Sequence, residues 1–270
     1  MGSMDIFDLS GRVAMVSGAA SGMGKATALA VASAGADVVL VDIDVSGATA
    51  TASEIEALGQ RAVAVECDIS DPDQIQSMFS RVDDEFGRID FLANIAGEAI
   101  RKKPEDIELA EVEWTWRNIV YGRFCMCQEA GRRMLQQGRG SIVNLGSIAG
   151  VSALGRGHIA YSMAMGAVIQ MTRELSTEWS GRGVRVNSIL PAQVLNPGLQ
   201  ARIDADPRIE TRFLSGIPTG RFGHCDDIRG LAIFLASDAS SWITGAIIPM
   251  DGGNLALNAG GSVGGETFTE

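Results

Sequence analysis

Apolar residues in this chain fall into short continuous runs, each followed by a longer stretch of helical spacing. Arg12 to Ser17 (RVAMVS), Asp37 to Asp42 (DVVLVD), Arg61 to Cys67, Ile89 to Ala93, Ile142 to Leu145 and Gly183 to Leu190 read as strands. Their apolar positions are unbroken rather than alternating, as expected for strands covered on both faces. Between them lie helical segments: alanine-rich Lys25 to Ala34, one beginning near Ser46, one capped by Asp71-Pro72 and running to Phe86, Trp114 to Leu135, one starting near Gly157, and Asp226 to Ser237. Strand followed by helix throughout, with no internal repeat and no linker break, predicts one doubly wound α/β domain of Rossmann type. Its parallel sheet has about seven strands, with helices on both faces and right-handed crossovers.

Two segments escape this rhythm. Glu98 to Glu113 is polar and mixed, with Arg101-Lys102-Lys103 ahead of Pro104, and reads as a loop. Residues 192–224 are polar, turn-rich and weakly periodic, which suits a mobile lid. The domain is expected over 9–256. Residues 1–8 form a tail, partly a vector-derived remnant because Met1-Gly2-Ser3 precedes a second Met, and 257–270 form a glycine-rich flexible tail.

Composition narrows the function classes. The chain has 270 residues, of which 46% are hydrophobic, enough for one large core. A net charge of −11 argues against nucleic acid or an anionic membrane surface as partner, since both need clustered Lys and Arg. The N-terminus has no basic-apolar leader and no run of eighteen apolar residues follows, so a soluble, cytoplasmic protein is expected. Cys67, Cys125, Cys127 and Cys225 have neither metal nor disulfide spacing, and with only His158 and His224 no metal site is expected.

The chemistry concentrates at strand ends. Ser17 leads into Gly18-Ala-Ala-Ser-Gly22-Met-Gly24 and then a helix. Glycines let backbone approach a pyrophosphate, whose charge meets the N–H groups of the helix that follows. The next strand ends at Asp42, twenty residues after Gly22, where a carboxylate can accept from both hydroxyls of an adenosine ribose and repel a 2′-phosphate. NAD is favoured over NADP. Asp42 as a cap of the helix beginning near Ser46 is the alternative. The stretch from Ser141 to Met171 brings a hydroxyl, Ser147, to a strand end and a phenol, Tyr161, onto the next helix fourteen positions later. Position 165 shares the helix face of Tyr161, so a cation there would lie beside the phenol; the residue is Met165.

These residues resemble the short-chain dehydrogenase/reductase family. The glycine turn is similar to the family's Thr-Gly-x-x-x-Gly-x-Gly with Ser17 for the threonine, and YSMAM is similar to its Tyr-x-x-x-Lys with Met165 for the lysine. Asn94-Ile-Ala-Gly97 resembles the family's Asn-Asn/Ala-Ala-Gly, and Ser240 to Gly253 resembles its last strand. Ala192 and Asn196 depart from the usual glycine and threonine of the segment after the sixth strand.

The resemblance implies Tyr161 as acid/base, Ser147 as the donor that orients the reacting oxygen, Asn118 as the helix asparagine that holds a water, and Met165 at the lysine position. It implies dinucleotide contacts from Gly18, Ser21, Gly22, Met23, Gly24, Asp42, Ile43, Asp68, Ile69, Asn94, Ala96, Gly97, Tyr161, Pro191 and Val194. Asp68 equally reads as a turn residue. Substrate contacts are expected from Ser147, His158, Tyr161 and Gln193, and the expected assembly is a homotetramer built on helices near 114–135 and 161–180 and the last strand.

The implied activity is NAD-dependent interconversion of a secondary alcohol and a ketone on a small polar substrate, sugar derivatives included. Arg156, His158 and Arg101 to Lys103 flank the tyrosine helix and suit an anionic or polyhydroxy molecule, or else form a solvated loop. A phenol titrates near ~10. A unit charge about 4 Å away supplies roughly 4 kcal/mol at an effective dielectric near 20, enough to bring it toward neutrality. Met165 supplies none, so the chain is expected to be about 10²- to 10⁴-fold slower than a Met165→Lys variant, or inactive. The other readings are a non-catalytic nucleotide-binding or scaffold protein, and a 3-oxoacyl-carrier-protein reductase, which Asp42 and the acidic surface disfavour.

Overall fold

The computed structural model of the chain describes residues 4–257; residues 258–270 of the expected tail, and Met1 to Ser3, lie outside them. Seven strands form one sheet: β1 (Val13–Ser17), β2 (Asp37–Asp42), β3 (Ala62–Glu66), β4 (Phe91–Asn94), β5 (Gly140–Leu145), β6 (Val184–Pro191) and β7 (Ile247–Met250). All pairings are parallel, in the spatial order β3-β2-β1-β4-β5-β6-β7. The chain builds outward from β1 to β3 and then returns to place β4 on the other side of β1. The crevice beyond the carboxyl ends of β1 and β4 is therefore the switch point where such sheets receive ligands.

Successive strand residues feed opposite faces. Ala14 and Val16 join Val38, Leu40, Phe91 and Val143 in the core under α1 (Gly22–Ser33) and α2 (Val45–Glu56). Met15 joins Val39, Phe79, Leu92 and Ile142 under α3 (Pro72–Phe86). The unbroken apolar runs are thus explained by two cores, one for each parity of the strand. Asn94, fully buried at the end of β4, donates to Asn144 Oδ1 (3.0 Å) and to Cys127 Sγ (3.2 Å), tying β4 to β5 and to the next helix layer. Burial pushes the Cys127 thiol up to about 12, so it stays an inert SH.

Three helical expectations are corrected. The loop expected over Glu98 to Glu113 already contains the start of α4 (Leu109–Trp116), whose first turn is polar because Glu111 accepts from the Glu108 N–H and pairs with Lys102 (2.6 Å). The single helix expected from Trp114 to Leu135 is interrupted by a π-helical turn, Arg117–Tyr121, before α5 (Gly122–Gln137). Asn118 Nδ2 donates to Trp114 O (3.0 Å), occupying the carbonyl one turn back where the coil widens. Gly122 lies so close to the chain after β3 that a Cβ there would stand 2.2 Å from Ile69 O.

The weakly periodic lid is also helical in part. After α6 (Ile159–Trp179) and β6, it carries α7 (Pro197–Ala205) and α8 (Arg208–Leu214), followed by α9 (Arg229–Ala236). Asn196 caps α7 by accepting from Leu199 N–H (2.9 Å), with Pro197 opening the helix. Leu199, Ile203 and Phe213 bury one another in a small cluster. Two helices of nine and seven residues present too few apolar positions for periodicity to declare them.

Candidate active site

The turn after β1 forms because glycine alone fits it. Gly18 and Gly22 have φ of +72° and +56°, and a Cβ on Gly24 would stand 1.8 Å from Gly18 O. Ser17 Oγ, buried beneath the turn, accepts from the N–H groups of Ile95 (3.0 Å) and Ala96 (3.2 Å), which locks the ends of β1 and β4 together. Beyond them opens a cavity of about 630 Å³. Gly18, Ser21, Met23, Gly24, Asp42, Ile43, Asp68, Ile69, Ala96 and Gly97 line it, with Asn118, Tyr161 and Met165 at the other end.

Asp42 is no helix cap: that place belongs to Asp44, whose Oδ1 accepts from Gly47 N–H (3.0 Å). Asp42 instead accepts from Ala20 N–H (2.9 Å) and Asp44 N–H (3.0 Å), one on each oxygen. A carboxylate has roughly four acceptor sites, so two remain for a ligand. Asp68 accepts from Ser70 N–H (2.8 Å) as a turn residue does, and it also lines the cavity.

Four of the expected dinucleotide contacts, Gly22, Asn94, Pro191 and Val194, are not among the residues lining the first cavity. The Asn94 side chain is spent between strands, and Pro191 is buried at the end of β6; neither lines the cavity. Val194 lines a second cavity, of about 460 Å³, that shares lining residues with the first. Ser147, His158 and Gln193 line that second space too. Tyr161 and Asn196 line both spaces, and of the two only Tyr161 carries a hydroxyl proton to exchange. Ser147 Oγ accepts from Ala149 N–H (3.1 Å), which leaves its own hydrogen free to donate. His158 Nδ1 lies 2.9 Å from Arg156 O. A carbonyl only accepts, so Nδ1 carries the hydrogen and Nε2 is left as an acceptor. Burial first, then Arg101, Arg156 and Arg202, lower the His158 pKa below its ordinary 6.5, and the ring stays neutral near neutral pH.

Met165 is buried with Ile119, Ala164 and Val168, and the Tyr161 ring packs on the same group. Ile119 of the widened turn packs on Met165 and the Tyr161 ring, while its neighbour Asn118 lines the cavity with its amide nitrogen donating to Trp114 O. The one cation among the residues lining the first cavity was not singled out in the sequence: Arg123, on α5. It is 2% exposed and, among the described residues, has no carboxylate partner. Its Nε donates to Ala96 O (3.1 Å), Nη2 to Ile95 O (3.2 Å) and Ala96 O (3.0 Å), and Nη1 to Leu145 O. Burial brings its pKa down to about 10, opposed by the Tyr161 and Cys127 groups. Its spacing offers a signal: Ile119, Arg123, Met126, Cys127 and Ala130 share one buried helix face, and an arginine there needs a reason.

Comparison with known proteins agrees with this geometry. A family model described as enoyl-(acyl carrier protein) reductase matches residues 18–254. The chain is 42% identical over 247 residues to D-threitol dehydrogenase of Mycolicibacterium smegmatis, covering 92% of this chain and 94% of that one. It is 37% identical to the NAD-dependent glycerol dehydrogenase of Listeria innocua, over 92% and 95% of the two chains. Among solved structures, gluconate 5-dehydrogenase from Burkholderia cenocepacia in complex with NADP and tartrate superposes with a TM-score of 0.89 at 28% identity, over 94% of this chain and 99% of that one.

Proposed function

The chain belongs to the short-chain dehydrogenase/reductase family of alcohol–ketone oxidoreductases, and from that premise we propose that it interconverts a secondary alcohol and a ketone on a small polyhydroxy substrate, with NAD as cofactor and Tyr161 as acid/base. The observation that carries this reading is that Tyr161 lines both a dinucleotide-sized cavity and a smaller one carrying Ser147, His158 and Gln193. Bound nicotinamide supplies the hydride acceptor or donor. Ser147 donates its free hydrogen to the reacting oxygen and Tyr161 moves the proton to or from it. Polyol and sugar-acid substrates of related dehydrogenases support the substrate class.

NAD rather than NADP is proposed because Asp42 keeps acceptor capacity facing the cavity and carries the charge that would repel a 2′-phosphate. Related proteins include both an NAD-dependent enzyme and an NADP complex, so the carboxylate rather than the fold is what favours NAD. Asp42→Asn keeps an acceptor for Ala20 and removes the charge. The ratio of kcat/KM with NAD to that with NADP is expected to fall about tenfold or more; an unchanged ratio removes Asp42 from cofactor choice.

Met165 offers neither charge nor N–H, which makes this chain slower than one with lysine there. A homotetramer is part of the proposal: Tyr121 and Phe124 around the start of α5 and Met163 on α6 are 56%, 43% and 43% exposed, apolar surface on the two helices expected at the interface. Light scattering should give four times the mass of the chain; a monomer mass contradicts the assembly.

A further inference from the structure

We propose that Arg101, Arg156 and Arg202 form an anion subsite in the second cavity, selecting substrates whose carbon chain carries a carboxylate or phosphate as well as the reacting alcohol; this rests on the reading of Tyr161 as acid/base. The three arginines come from separate elements: the loop after β4, the loop before α6, and α7. Lys102 N–H donates to Gly157 O (3.1 Å), which seats the Arg101 loop against the Arg156 loop. The Arg156 guanidinium stands 4.5 Å over the ring of buried Phe213, and that of Arg202 stands 6.0 Å from the same ring. Phe213 thus serves as a fixed platform for two planar cations.

These cations lack counter-charges. The chain holds 33 acidic residues against 22 basic ones, and elsewhere Arg12, Arg88, Arg133, Arg208 and Arg221 each pair with a carboxylate. Among the described residues, Arg101, Arg156 and Arg202 make no ion pair and no side-chain hydrogen bond, and no Asp or Glu lines their cavity. Arg156 Nε is buried without a hydrogen-bond partner, and so is Gln193 Oε1 across the same space. Burial and the neighbouring arginines lower the proton affinity of Arg156 and of Arg202, the mark of cations that repel one another. An anion among them relieves the repulsion and claims the orphaned donor. Gln193 Oε1 and His158 Nε2 can only accept, so they suit hydroxyl groups on the same molecule. The combination describes a polyhydroxy acid or a sugar phosphate rather than a neutral polyol.

The test holds NAD saturating and compares kcat/KM for D-threitol, D-threonate and a threitol monophosphate. At least one anion should exceed the neutral polyol about 10- to 100-fold, the range of charge-assisted hydrogen bonds. Preference for threonate assigns the subsite to carboxylates, and preference for the ester assigns it to phosphates. Arg156→Gln and the more solvent-exposed Arg202→Gln should each lower the anion-to-polyol ratio about tenfold, through KM. Equal kcat/KM for charged and neutral compounds, or a ratio unmoved in both variants with circular dichroism unchanged, overturns the subsite and leaves the oxidoreductase reading standing. Turnover of none of the three by this chain or by Met165→Lys, with calorimetric binding of threonate to the NAD-loaded protein lost in Arg202→Gln, keeps the subsite and overturns the acid/base reading instead.

Discussion

Tyr161→Phe is expected to lower turnover about 10²- to 10⁴-fold while NAD still binds, the loss associated with removing a positioned proton donor. The substitution deletes one hydroxyl and keeps the ring that packs on Ile119, Ala164 and Met165. The glycine turn and Asp42 lie at the other end of the first cavity, so the adenosine and pyrophosphate contacts should remain. Single-turnover kinetics with matched calorimetry separate the two effects. Loss of binding together with loss of turnover would show Tyr161 to be structural. Undiminished turnover would place the proton transfer on another group.

Met165→Lys is expected to raise turnover toward 10²-fold, the low end of what acid–base catalysis contributes. An ammonium on the helix face of Tyr161 stabilises its phenolate, and its N–H groups can reach hydroxyls that a thioether cannot hold. The gain is set at the low end because the cavity already contains one fixed cation. Arg123 stands in the field of Tyr161, and its guanidinium is buried, where charge is screened least. Its donors, however, are directed to Ile95, Ala96 and Leu145 carbonyls, so it cannot also serve a ligand as a lysine would. Turnover equal in the two proteins would mean that Arg123 already provides the whole field or that Tyr161 needs none. Measuring Met165→Lys in an Arg123→Met background separates those cases, because only in the first does the double variant recover what the single Arg123→Met loses.

The inner strands were legible because each is buried on both faces and so writes an unbroken apolar run, as from Val38 to Val41. Boundaries moved where a side chain does work at the edge. Asp90 accepts from Val13 N–H (2.9 Å) and so lies just outside β4, while Gly140 pairs with Val184 and extends β5 backward. The glycine turn, Asp42 and Ser147 were legible because they follow strand ends, and Tyr161 because it lies on the helix that follows Ser147. Asn94 and Pro191, expected at the cofactor, do not line the first cavity, because motif position fixes where a backbone runs and not where its side chain points. Arg123 and the cluster of Arg101, Arg156 and Arg202 join residues distant in the chain, and pairing or its absence is decided only by packing. Likewise α7 and α8 bury their few apolar residues on each other, a tertiary event that local spacing does not encode.

The most direct test of the account is nicotinamide reduction followed by absorbance, with NAD and in turn D-threitol, glycerol and gluconate, for this chain, Met165→Lys and Tyr161→Phe side by side. The account predicts reduction with at least one of these alcohols, fastest in Met165→Lys and about 10²- to 10⁴-fold slower in Tyr161→Phe than in this chain. Reduction by none of them in Met165→Lys, or equal rates in Tyr161→Phe, would contradict it.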